Sequence, residues 1–166
     1  MKAWLTSYED YNSGRLIGEW INIDDFYGVD DLQEMIDEYL EKRRKATGLI
    51  HDEWGFFDYD ECPNPSHLGE NPDLEYLIEL NEAIEKHGFD MIKSALACDI
   101  PLEKIEDAYY GEWDSRAQFA EEFHDNCGDL TNVPTWIISH IDWDSVGREL
   151  MYDFQEEDGH YWSNNY

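Results

Sequence analysis

A chain of 166 residues with 40 Asp and Glu against 11 Lys and Arg carries a formal charge of −29. Such a charge excludes nucleic acid and anionic membrane surfaces as partners, because like charges repel. A composition of 42% hydrophobic and 15% aromatic residues, with seven Trp, excludes a disordered acidic tail. The acid therefore belongs to a folded protein whose partners are cationic: metal ions, basic proteins, or the DNA groove of a nucleic-acid enzyme. Cys62, Cys98 and Cys127 are odd in number and widely spaced, which fits a reducing cytoplasm better than a disulfide framework. No apolar run reaches membrane-spanning length, and the first ten residues lack the apolar stretch of a secretion signal.

In chain order, residues 2–7 and 16–23 read as strands joined by the turn-rich Tyr11-Asn12-Ser13-Gly14. Residues 29–45 predict an amphipathic helix, with Leu32, Met35, Ile36, Tyr39 and Leu40 on one stripe and Asp30, Glu34, Asp37, Glu38 and Glu41 opposite. Residues 49–59 read as a return strand, with the acids Asp58, Asp60 and Glu61 at and just beyond its end. The Pro-rich stretch 62–72 is the clearest boundary.

A second helix is predicted with Asn71 as N-cap, Pro72 as first residue and Gly88 as stop. It would bury Leu74, Leu77, Ile78, Asn81 and Ile84, and expose Glu75, Glu79 and Glu82. Residues 89–98 and 101–109, the latter with Glu103 and Glu106, predict two short helices; residues 111–113, with Glu112, predict a strand. Ser115-Arg116-Ala117-Gln118 matches a capping box. It opens a helix that buries Phe119, Ala120 and Phe123 and exposes Glu121, Glu122 and Asp125.

The closing stretch 135–162 is the most apolar. Pro134 starts a short helix, Asp142 caps a second over 143–150, and Asp158-Gly159 turns a hairpin. We read this stretch as a platform that anchors the fold and supplies a subunit contact, with Trp136 and Ile138 as interface candidates. The expected fold is α+β: an elongated chain of three small units, with α+β sheet-plus-helix units at 1–61 and 105–166 and a helical middle at 62–104. Units this small bury little surface alone and must lean on one another or on a second copy.

Charged residues ordinarily cover exposed helix faces, but ordinary faces mix signs. Like charges at i, i+4 cost about 0.2–0.5 kcal/mol per pair, and here four of the 11 bases sit in the single run Lys42-Arg43-Arg44-Lys45. Stability gains nothing from this pattern, so the acidic faces are the candidate functional surface. At one charge per roughly 1.7 Å of duplex axis, a charge of −29 matches about 50 Å of DNA.

Other chemistry has weaker support. Asp142, Asp144, Gly147 and Asp153 approximate a calcium loop, but Val146 stands at position 5 and Asp replaces Glu at position 12. Neither Cys62 with His67 nor His124 with Cys127 has a second pair at zinc spacing. No nucleophile elbow, P-loop or dinucleotide fingerprint occurs. We therefore expect no enzyme activity, no cofactor and no metal.

Ala3-Trp4-Leu5, the stretch from Tyr11 to Trp20, His51-Asp52-Glu53-Trp54-Gly55-Phe56, His140-Ile141-Asp142, Gly147-Arg148-Glu149-Leu150 and the Asp158-Gly159 hairpin together resemble the ArdA family of antirestriction proteins. The resemblance spans almost the full length. It implies a mimic of bent B-form DNA that dimerises through its C-terminal part. Such proteins occupy the DNA site of type I restriction–modification enzymes, on the methyltransferase core. It also implies a protein of mobile genetic elements, acting in the bacterial cytoplasm. The alternatives are an acidic adaptor that binds a basic protein without imitating DNA, and a calcium-binding module.

Overall fold

The computed structural model describes residues 1–166. It is an α+β protein with two three-stranded antiparallel sheets, and it divides into two compact units, Met1–Lys93 and Ser94–Tyr166.

The first unit opens with β1 (Lys2–Ser7), α1 (Tyr8–Asn12), β2 (Glu19–Asn22), α2 (Val29–Thr47) and β3 (Trp54–Asp60). β1 is the central strand, paired with β2 on one side and β3 on the other. Trp4 lies opposite Trp20, their rings edge-to-face at 5.5 Å. Gly18 lies close beneath this pair. A Cβ there would sit 2.5 Å from the Leu5 carbonyl oxygen and 2.6 Å from the Trp4 ring, so only glycine allows the approach. The segment expected to be a turn-rich linker begins as helix α1 instead, because the Ser7 hydroxyl accepts the Asp10 N–H and caps it.

α2 buries Leu32, Ile36, Tyr39 and Leu40 and half-buries Met35, as the periodicity predicts. It runs two residues beyond the expected Lys45 and stops at Gly48, whose φ of 69° suits glycine. The strand expected from Leu49 begins only at Trp54. Residues 49–53 are held outside the sheet, with Leu49 N–H donating to Thr47 Oγ1 and Glu53 carbonyl accepting from Tyr8 N–H.

The short α3 (Pro65–Leu68) lies in the Pro-rich stretch and is followed by α4 (Leu74–His87). The N-cap of α4 is Asp73, not Asn71. The Asp73 carboxylate accepts from the Glu75 and Tyr76 N–H groups, which suits the positive end of the helix. Asn71 instead donates to the Tyr8 hydroxyl. Leu77, Ile78 and Asn81 are buried as expected and Leu80 joins them, whereas Leu74 and Ile84 are only half-buried.

α5 (Phe89–Ala97) contains the boundary between the units. The second unit continues with α6 (Ile105–Ala108), β4 (Tyr109–Glu112), α7 (Arg116–Asn126), α8 (Thr135–Ile138), α9 (Trp143–Leu150), β5 (Phe154–Glu157) and β6 (His160–Ser163). The expected helix over 101–109 is a 3-10 turn plus the single turn of α6, because Tyr109 leaves it to pair with Trp162. β6 is central, between β4 and β5. The β5–β6 turn places Asp158 at φ 50° and Gly159 at φ 85°, the positive angles a tight hairpin needs.

Phe119, Phe154 and Tyr161 form the core of this unit, with Phe119 stacked on Tyr161 at 4.4 Å. The buried Trp162 donates from Nε1 to Ser94 Oγ at 2.8 Å, and Ser94 donates on to the Glu157 carbonyl. α9 approaches α7 so closely that a Cβ on Gly147 would lie 2.6 Å from the Arg116 carbonyl oxygen. The aromatic platform is thus divided. Phe154, Tyr161 and Trp162 are core, while Trp136 and Tyr152 are exposed.

The strongest polar feature is the carboxylate of Asp10, at 0% exposure. Its Oδ1 accepts from Arg15 Nε at 2.8 Å and from Arg43 Nη2 at 3.2 Å, and its Oδ2 accepts from Arg43 Nε at 2.8 Å. Burial pushes the Asp10 carboxyl up, but the Arg43 and Arg15 hydrogen bonds outweigh it and hold the group at about 2, below its ordinary 3.8. A carboxyl depressed in this way stabilises the fold above its ordinary pKa and loses that contribution as pH falls toward the folded value. Asp10→Asn should cost about 3 kcal/mol or more in urea unfolding at neutral pH, since it leaves the largely buried Arg43 guanidinium without its carboxylate. The part of the gap between wild type and D10N that comes from the Asp10 charge should be lost between about pH 4 and 2.

Candidate functional site

The sequence periodicity that buries one face of each long helix leaves its acids on the other. On α2, Asp30, Glu34, Asp37 and Glu38 are exposed and Glu41 is half-buried. Together with Gln33, Lys42, Lys45 and Ala46 they line a shallow open trough along the helix. On α4, Glu75, Glu79 and Glu82 are all exposed. The end of β3 adds Asp58, Asp60 and Glu61, also exposed, with Glu61 at a φ of 55°.

In the second unit Glu103, Glu106, Glu112, Glu121, Glu122 and Asp125 are exposed. Every acid proposed from the sequence except the half-buried Glu41 is therefore exposed. Asp31 and Glu85 were missed, although each stands three residues from a named acid on the same helix, Glu34 and Glu82, and both are exposed.

Several of these acids have structural duties. Asp60 pairs with Lys2 at 3.5 Å. Glu41 accepts from Arg44 and Lys45, and those two partners hold its carboxyl below the ordinary range. Glu122 accepts from Trp113 Nε1 at 2.7 Å and from Gln118 Nε2 at 3.1 Å, and these bonds lower its carboxyl in the same order.

The basic run at 42–45 is matched residue by residue. Lys42 pairs with Glu19, Arg43 with Asp10, Arg44 with Asp52 at 2.9 Å and Glu41 at 3.1 Å, and Lys45 with Glu41 at 3.3 Å. Of the four carboxylates involved, Asp10, Glu19 and Asp52 lie off α2. Arg43 thus turns inward to Asp10, while Lys42 and Lys45, each paired with a carboxylate, stay exposed beside the α2 acids.

The interface candidates differ from each other. Trp136 is 69% exposed on α8, whereas Ile138 is half-buried and the neighbouring Ile137 is exposed. The calcium-like spacing of Asp142 to Asp153 is occupied by α9. Asp142 caps it, its carboxylate accepting from the Ser145 N–H and hydroxyl.

Ser7 lies within hydrogen-bonding reach of both His51 and Asp10, a set that resembles a hydrolytic triad by residue type, although His51 Nδ1 stands 3.7 Å from Asp10 Oδ2. All three are at 0% exposure, so no substrate reaches the Ser7 hydroxyl. The exposed chemistry is carboxylate.

The fold and this surface define a class: a small acidic α+β protein whose reach toward other molecules is electrostatic. The chain belongs to the ArdA family. The family model described as antirestriction protein (ArdA) matches residues 3–162. Antirestriction is thus the function its family carries, an inhibitory rather than a catalytic one, directed at restriction–modification enzymes. Comparison with curated proteins gives no match.

If the acid faces serve binding rather than stability, relieving their repulsion should stabilise the protein. Glu34 stands at i, i+3 or i, i+4 from Asp30, Asp37 and Glu38. Glu34→Gln should therefore raise stability at low salt by about 0.5–1 kcal/mol. The gain should shrink in 0.5 M NaCl as screening removes the repulsion. Chemical denaturation at the two salt concentrations measures both effects.

Proposed function

We propose that the protein is a DNA mimic that binds the methyltransferase core of a type I restriction–modification enzyme and blocks its DNA-binding site, its carboxylates standing where phosphates would. The observation that carries this reading is the pairing of the basic run. Each cation at the end of α2 is neutralised by a carboxylate, among Asp10, Glu19, Glu41 and Asp52, while the outer faces of α2 and α4 present runs of exposed acid. A generic acidic surface has no need to neutralise its cations one by one. A surface that must present one sign to a cationic DNA groove does.

The α+β ends, 1–61 and 105–166, and the helical middle, 62–104, share the phosphate-like charge. The protein acts in the cytoplasm, as a product of mobile elements, without catalysis or cofactor. It works as a homodimer, joined through the apolar α8 around Trp136 and Ile138.

The direct test is competition with duplex DNA for a purified type I methyltransferase core. The protein should displace DNA, and its affinity should fall as salt rises. A ternary complex of enzyme, DNA and protein would overturn the mimic and establish the adaptor alternative. Recognition should be distributed, because solvated charge contacts are individually worth about 0–1 kcal/mol. Glu75→Gln, Glu79→Gln and Glu82→Gln should each weaken inhibition slightly, and the triple variant more. One single change that abolished inhibition in a folded protein would rule out the distributed mechanism.

Subunit contacts, by contrast, rest on a few apolar anchors costing about 2 kcal/mol or more on truncation. Trp136→Ala should therefore dissociate the dimer while leaving each subunit folded, as read by sedimentation and circular dichroism. A W136A protein that sediments as wild type does would move the interface elsewhere.

A further inference from the structure

The buried cluster beneath Asp10 has a property that neither the acidic surface nor the family assignment uses. His51 is wholly buried, yet both ring nitrogens face hydroxyl oxygens. Nδ1 is 2.7 Å from Ser7 Oγ, and Nε2 is 2.8 Å from Thr47 Oγ1. Each hydroxyl has a second acceptor within reach. Ser7 Oγ lies 3.2 Å from Asp10 Oδ2, and Thr47 Oγ1 lies 2.9 Å from the Arg43 carbonyl oxygen.

The charged and titratable groups around this chain are Asp10 on α1, Arg15 in the segment after it, and Tyr39 and Arg43 on α2. Asp10 Oδ2 is 3.7 Å from Nδ1.

A neutral imidazole needs one hydrogen-bond donor and offers one, whereas an imidazolium offers two and needs two acceptors. A buried histidine flanked by two groups that can only donate would be locked neutral. Here both neighbours are hydroxyls that accept once their own protons turn elsewhere, and the structure supplies a place for each proton. With His51 neutral, one of the two hydroxyls donates to the ring. With His51 charged, Ser7 donates to Asp10 and Thr47 donates to the Arg43 carbonyl, while both oxygens accept from the ring.

We propose that His51 is a proton-binding switch site, taking up a solvent proton inside the folded first unit by rotation of the Ser7 and Thr47 hydroxyls without displacement of any heavy atom. The half-buried Thr47 is the solvent side of the chain, and Asp10 is its inner end. In the neutral tautomer in which Ser7 donates to Nδ1, protonation turns the Ser7 proton to Asp10 and so adds a donor to the carboxylate that also holds Arg15 and Arg43. Proton uptake at His51 is in this way coupled to the anchoring of the basic run on α2.

The test is nitrogen NMR on the full-length labelled protein, with His51 assigned through H51Q, together with carbon NMR of the Asp10 carboxyl. As pH falls, His51 should pass reversibly from one protonated nitrogen to two while the amide spectrum of the first unit stays folded. The Asp10 carboxyl signal should move in the same step. Thr47→Val removes the acceptor for Nε2–H and should lower the His51 midpoint by at least one pH unit, a tenfold loss of proton affinity. Ser7→Ala should uncouple the Asp10 signal from the titration. Should Ser7→Ala fail to fold, the Thr47→Val shift carries the test. Loss of the native spectrum before His51 protonates would overturn the proposal, as would a Thr47→Val midpoint equal to that of wild type.

Discussion

The wholly buried Asp10 carboxylate draws in Arg15 from the segment after α1 and Arg43 from α2, and so ties those segments to the end of β1. Removing a carboxylate and most of the Arg43 guanidinium from water is costly unless their hydrogen bonds are well filled. Here the carboxylate receives three charge-assisted bonds at 2.8–3.2 Å, besides contact with the Ser7 hydroxyl. The arrangement spends scarce cations on the interior of a protein with 40 acids and 11 bases. What remains outside is correspondingly more acidic.

The same constraint explains the division between core and surface. A net charge of −29 opposes compaction, and the opposing force comes from small but dense apolar centres. In the second unit, Phe119 stacks on Tyr161, Trp162 lies fully buried with its indole N–H satisfied by Ser94, and Trp113 and Phe123 close the margin. In the first, Leu5, Phe56, Leu32 and Ile36 do the same between sheet and helix. Large aromatic side chains gather much buried area from few residues, which leaves the outer helix positions available for acid. The acids on those positions repel one another, a cost to stability that the packed centres offset.

The periodicity of α2 and α4, the Ser115 and Asp142 caps, the Gly88 stop and the Asp158-Gly159 turn were legible because each is set by neighbours within a few residues. The exposure of the acids was legible for the same reason, since a buried stripe at i, i+3 and i+4 defines the opposite face. Charge composition and motif order also sufficed to place the chain in its family, which the match over residues 3–162 establishes.

Tertiary structure decided what depends on contacts distant in sequence. It took Asn71 from the α4 cap by offering it the Tyr8 hydroxyl, kept Leu49–Glu53 out of the strand, and drew Tyr109 from a helix into a sheet with Trp162. It divided the aromatic stretch, sending Trp162 to the core and leaving Trp136 in solvent. It also gave each base of the 42–45 run a particular carboxylate and gathered Ser7, Asp10, Thr47 and His51 into one buried chain. Local spacing determines which face of a helix is apolar; only the packed chain determines which charge meets which, because pairing depends on segments that approach each other through the core.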